Sequence, residues 1–134
     1  MALYMLDTNI CVYLMKHQPP EVAERFARCR VGDVVISAIT FAELEYGVSV
    51  SINAAAERIN LARLIEAIPV AAFDVEAARA CGPVRLATRE RKKDHLDKLI
   101  AAHALSLEVA LVTNNERDFS EYPELRVENW LRSH

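Results

Sequence analysis

Ala2-Leu3-Tyr4-Met5-Leu6-Asp7-Thr8-Asn9 begins as an apolar run and stops abruptly on a carboxylate followed by two small polar residues. An apolar run of this length reads as a short strand, and the Asp-Thr-Asn that follows reads as the handover to a helix. Asp7 then stands at the C-terminal end of the first strand. In open α/β sheets, ligands bind in the crevice beyond the carboxyl ends of the strands, so Asp7 holds an address where chemistry is done.

Working outward, further apolar β-rich runs occur at residues 34–37, 109–113 and 125–127. Ile68-Pro69-Val70-Ala71-Ala72 offers one more short strand, because Pro69 forces Ile68 out of helical geometry. Helical patterns lie between them, over residues 10–16, 20–30, 41–50, 54–67, 75–91, 96–107 and 116–119. Strands alternating with helices imply a parallel sheet covered on both faces, and Val34-Val35-Ile36 and Val109-Ala110-Leu111-Val112 suit strands buried on both sides. The fold class is α/β, with a central parallel sheet of four to five strands between helical layers. No internal repeat interrupts it.

The 134 residues and 15.0 kDa fit one domain spanning residues 1–134. Hydrophobic residues make up 52% and charged residues 26%, with 3 Gly and 5 Pro and no linker-like stretch, which argues for a packed core with compact connections. A formal net charge of −3 gives no global drive toward nucleic acid, so any RNA contact must be local. Cys11, Cys29 and Cys81 are odd in number and widely spaced, which signals neither a disulfide framework nor a zinc site and fits reduced thiols. The N-terminus has no basic leader followed by a long apolar segment, and no stretch approaches the roughly 20 apolar residues of a membrane span. A soluble, cytoplasmic protein without membrane contact is expected.

Four acids far apart in sequence lie where chemistry is expected: Asp7, Glu43, Asp97 and Asp118. Each has a plain structural explanation. Asp7 suits a helix N-cap. Thr40-Phe41-Ala42-Glu43 matches the capping box, in which the Glu bonds back to the cap residue. Asp97 stands in the first turn of an Ala- and Leu-rich helix, where a negative charge favours the helix dipole. Asp118 belongs to Thr113-Asn114-Asn115-Glu116-Arg117-Asp118, which reads equally as an Asn/Asp-rich turn. Their conjunction carries the argument. Independent caps have no reason to converge on one sheet edge, and clustered carboxylates raise one another's pKa unless a divalent cation compensates them. All-oxygen donors favour Mg²⁺ or Mn²⁺ over zinc. Thr113 and Asn115 are placed to orient a water there, and Asp94, three residues before Asp97, is a reserve acid.

The remaining groups point elsewhere. His103 lies off the Asp97 face and reads as a packing or interface histidine, and His17, His95 and His134 lack metal-ligand spacing. No nucleophile elbow, phosphate-binding Gly-rich loop or dinucleotide fingerprint occurs. A phosphohydrolase of the kind that starts from a strand-end Asp wants a second Asp at the position of Asn9. A phospho-acceptor receiver domain wants an adjacent acidic pair near the first strand, which is missing.

The stretches Met5–Asn9, Ser37-Ala38-Ile39-Thr40-Phe41-Ala42-Glu43-Leu44-Glu45-Tyr46-Gly47, Asp97-Lys98-Leu99-Ile100-Ala101-Ala102-His103-Ala104 and Leu111–Phe119, in this order and closing on Leu125-Arg126-Val127-Glu128-Asn129-Trp130, resemble the PIN-domain ribonucleases, most closely the VapC toxins of bacterial toxin–antitoxin pairs. The resemblance runs almost end to end. It implies a three-layer PIN-like fold and a Mg²⁺- or Mn²⁺-dependent endoribonuclease. Asp7, Glu43 and Asp97 map onto the family's metal-binding acids, with Asp118 first and Asn115 second for the fourth position and Thr113 as a small polar neighbour. It also implies a VapB-type antitoxin, a homodimer, and a structured RNA substrate such as tRNA, including the initiator tRNA anticodon loop. One departure stands out: Arg91-Lys92-Lys93-Asp94-His95-Leu96 replaces the Gly-containing loop that relatives carry before the third acid. It leaves room for Asp94 to share the role of Asp97, keeps open a PIN-like module that binds RNA without cutting it, and gathers Arg85, Arg89, Arg91, Lys92 and Lys93 where they would grip phosphates.

Overall fold

The structure, a computed structural model, describes residues 1–91 and 95–131; Asp94, Lys92, Lys93 and His134, each singled out from the sequence, lie outside the described residues. The chain runs β1 (Tyr4–Leu6), α1 (Thr8–Lys16), α2 (Pro20–Ala27), β2 (Val34–Ser37), α3 (Ala38–Val50), α4 (Ala54–Ala67), β3 (Val70–Ala71), α5 (Val75–Ala87), α6 (His95–Leu107), β4 (Ala110–Val112), α7 (Glu116–Phe119) and β5 (Val127–Glu128). The five strands form one parallel sheet in the order β3-β2-β1-β4-β5. The first strand is therefore central, paired with β2 through Tyr4↔Val34 and with β4 through Met5↔Leu111 and Leu6↔Val112.

Successive side chains of a strand point to opposite faces, and β1 and β4 are buried on both. Met5 and Leu111 pack with Val84, Ile100, Ala101 and Phe119 on the α5–α6 side. Leu6 and Val112 pack with Ile10, Leu14, Leu44 and Leu61 on the side of α1 to α4. Burying one such side chain contributes about 1.5–3 kcal/mol, so the two cores flanking β1 fix its register strongly. The layers are helix, sheet, helix.

Helix boundaries differ from the sequence reading at several ends, by one or two residues at the starts of α1 and α6, by three at the end of α2, and more tellingly in α3 and α5. The helix expected from residue 41 starts at Ala38, because Ser37 is its N-cap and its hydroxyl accepts the Ile39 N–H at 3.0 Å. Thr40 is thus a buried interior residue and no capping box forms with Glu43. The helix expected to reach residue 91 stops at Ala87: both the N–H and the hydroxyl of Thr88 bond back to the Val84 carbonyl, closing the last turn. Among the described residues no helix is long and apolar enough to cross a membrane, and Cys11, Cys29 and Cys81 are free thiols whose pKa values burial pushes up.

Candidate active site

Asp7 follows β1 directly. Its backbone N–H still bonds to the Val112 carbonyl at 3.0 Å, so sheet pairing carries it to the carboxyl edge. There it also caps α1, its Oδ1 accepting the Ile10 N–H at 3.0 Å. Capping and a chemical role coexist, because one carboxylate oxygen serves the helix and leaves further acceptor sites on the group. The side chain is 5% exposed. Burial raises its pKa above the ordinary 3.8, and the charge of Glu43 adds to the rise, while hydrogen bonds from Thr113, Ile10 and Asn9 oppose it.

Thr113 comes from the end of β4, next to β1 as the sheet order requires. Its hydroxyl is fully buried and accepts the Asn115 N–H at 3.0 Å, so its single proton is free to go to Asp7. Glu43 arrives from α3, half-buried, and its Oε1 accepts the Thr8 hydroxyl at 2.7 Å. Thr8 was not singled out from the sequence. Its signal was position alone, one residue after Asp7, whereas its partner lies 35 residues away. Thr8 and Glu43 open onto a cleft of about 290 Å³.

Asp97 stands half-buried in the first turn of α6, as the sequence suggested. Asp118 lies in α7, and its carboxylate faces Arg91: a guanidinium nitrogen is 3.9 Å from Asp118 Oδ1 and another is 3.9 Å from Glu121 Oε2. Arg91 also donates to the Asp118 backbone carbonyl. Asn115 is exposed at the start of α7 and makes no side-chain cap bond. Lys98, passed over in the sequence, is buried beside Asp97 in the chain, and its ammonium donates to the carbonyls of Thr88, at 2.9 Å, and Arg91. His103 is 1% exposed in α6, its Nδ1 2.7 Å from Ser37 Oγ, and is a core residue as expected.

The structure therefore brings Asp7, Glu43, Thr8 and Thr113 into one connected edge. Among the described residues no group of three or more His, Cys, Asp or Glu side chains is gathered closely enough to hold a metal ion. The pair that is gathered fits a hard divalent cation in kind and in charge. Its donors are carboxylate oxygens, and a nearly dry Asp7 feels a second negative charge. Among the described residues neither Asp7 nor Glu43 has a salt bridge to Lys or Arg. A bound cation would supply that compensation.

The sequence pattern of the PIN domain matches residues 4–125. The chain is 37% identical over 132 residues to the tRNA(fMet)-specific endonuclease VapC of Shigella flexneri, a match covering 97% of this chain and 99% of that one. Among solved structures, DNA-bound VapBC of Salmonella typhimurium superposes with a TM-score of 0.89 at 35% identity, covering 97% of this chain and 99% of that one. VapBC2 of Rickettsia felis, bound to a promoter DNA fragment, gives 0.86 at 32% identity over 96% and 98% of the two chains.

Proposed function

The chain belongs to the PIN-domain family and, within it, to the VapC ribonucleases, and on that premise we propose that it is a metal-dependent endoribonuclease toxin acting on structured RNA and held in check by a VapB-type antitoxin. One observation supports this reading above the others. Asp7 is buried at the carboxyl edge of the central strand, feels the charge of Glu43, and has no ion-pair partner among the described residues. Such a carboxylate is costly unless it serves a ligand.

Asp7, Glu43 and Asp97 are the residues proposed to hold a Mg²⁺ or Mn²⁺ ion, with Asp118, then Asn115, for the fourth position. When bound, that ion supplies Lewis-acid activation of a water and neutralises charge developing on the phosphorus-bound oxygens. The protein's own groups orient the acids. The Ile10 N–H fixes one oxygen of Asp7 and the Thr113 hydroxyl steadies the same carboxylate, while Thr8 holds Glu43 by one oxygen and leaves the other for a ligand. Arg91 restrains α7 through its contacts with Asp118, which sets where Asn115 and Asp118 meet a substrate. In the hydrolysis a water oxygen bonds to phosphorus, the bond to the leaving ribose oxygen breaks, and that oxygen takes up a proton.

The relatives named for tRNA(fMet) make a tRNA, cut in the anticodon loop of the initiator, the first substrate to try. We further propose that residues 1–134 act as one domain, that the protein works in the cytoplasm, and that it pairs as a homodimer within the toxin–antitoxin complex. The test is incubation of antitoxin-free protein with total tRNA and Mg²⁺ or Mn²⁺, with mapping of new 5′ ends. A discrete cut that chelator abolishes is expected, and Asp7→Asn, which keeps a good cap, should reduce it at least about a hundredfold while the protein stays folded. Chelator-sensitive cleavage surviving in Asp7→Asn would sink the site assignment. RNA binding without any cleavage by the wild type would replace the nuclease with an RNA-binding PIN module.

A further inference from the structure

Between the second half of α5 and the start of α6 lies an open cleft of about 520 Å³, lined by Arg85, Leu86, Arg89, Arg91, His95 and Lys98. Among the described residues no carboxylate lines it, although the chain carries a net charge of −3. Arg85 lies in the last turn of α5, Arg89 follows the capping residue Thr88, and both line the same cleft. Both are exposed, Arg89 with 73% of its side chain in solvent and only a 3.9 Å approach to Glu90. Beneath them Lys98 is buried, its hydrogen bonds going to carbonyl oxygens. A buried ammonium under two exposed guanidinium groups focuses positive potential into the cleft. Arg91, which lines the cleft, also contacts Asp118, and Lys98 follows Asp97 in the first turn of α6, so the cleft adjoins two of the acids proposed for the site.

Resting on the nuclease reading, we propose that this cleft is a phosphate subsite for the RNA strand running to or from the acidic edge, with Arg85 and Arg89 as its ligands and Lys98 as a fixed charge below them. Guanidinium groups match phosphate oxygens bidentately. Leu86 is its one apolar lining residue among the described residues, so the cleft suits the charged backbone better than a base. It positions the strand and carries no sequence information. It also resolves how a net acidic protein holds a polyanion: attraction is confined to one cleft on the α5–α6 side.

The experiment measures binding of a fluorescent tRNA stem-loop to Asp7→Asn protein over a range of salt, with and without Arg85→Gln plus Arg89→Gln. A matched control carries Arg28→Gln plus Arg30→Gln, which removes equal charge just before β2, at the opposite edge of the sheet. The cleft variant should bind about tenfold more weakly near physiological salt, and its slope of log Kd against log salt should fall by about 1.4, roughly 0.7 for each single-strand phosphate that is no longer neutralised. The control should change the slope far less. With Asp7 intact, the cleft variant should raise KM more than it lowers kcat. An unchanged slope and KM, or an equal effect of the control, overturns the subsite while wild-type cleavage leaves the nuclease standing. If the wild type fails to cut yet the cleft variant still lowers the slope, the subsite stands and the nuclease falls.

Discussion

Ser37 does two things with one hydroxyl. The oxygen accepts the Ile39 N–H and lies 2.7 Å from His103 Nδ1, so one group caps α3 and hydrogen-bonds a buried imidazole. Burial lowers the His103 pKa below the ordinary 6.5, while Asp74 and a backbone interaction with Ala72 oppose the fall. The unfolded chain therefore takes up this proton first. The stability of the folded state should decline as pH drops below 6.5 and level off once pH passes below the lowered folded value. Thermal melts between pH 7.5 and 5 should show this decline, and His103→Gln should flatten it; equal pH slopes in the two proteins would remove His103 from the account. Thr40 offers the opposite case, a buried hydroxyl with no hydrogen-bond partner among the described residues. Thr40→Val deletes an unsatisfied polar group at constant shape and should be neutral or stabilise by up to about 1 kcal/mol in denaturant titration. A loss above about 1 kcal/mol would mean that the hydroxyl has a partner in solution.

Helix α6 shows what an Ala-rich sequence is for. Ala101, Ala102 and Ala104 are fully buried, so α6 lies close against its neighbours, and Asp97 is held at its first turn. Ala101→Leu should cost about 1–3 kcal/mol by overpacking, and should lower cleavage beyond its effect on stability, because displacing α6 displaces Asp97. Activity measured well below the melting temperature separates the two effects. Element type was readable from the chain because the three central strands β1, β2 and β4 are carried by apolar runs and helical patterns separate them. Element boundaries were less so: Thr-x-x-Glu matched a cap, yet the true cap lies three residues earlier, at the end of β2, where packing buries Thr40. The candidate site was readable as separate acids. Their spacing in space was not, since the approach of Glu43 to Asp7 depends on β2 lying beside β1, and the Arg91–Asp118 contact spans 27 residues. No local pattern encodes either.

For the whole molecule, a cation that binds only the folded protein stabilises it by mass action. At a hundred times its Kd, Mn²⁺ should add about 2.7 kcal/mol and raise Tm by roughly 10 °C, and Asp7→Asn should lose most of that shift. A wild-type Tm insensitive to Mg²⁺ and Mn²⁺ would refute a metal site at the acidic edge. The strand order has a further consequence. β1 is translated first but sits mid-sheet, and its pairing with β4 waits for residues 110–112. Thr113, which steadies Asp7, comes after them. Until more than a hundred residues have been translated, Asp7 has neither its β4 neighbour nor its hydroxyl. The acidic edge is therefore incomplete while those residues are being made, and the ribosome works beside a ribonuclease chain that has not yet acquired the means to cut RNA.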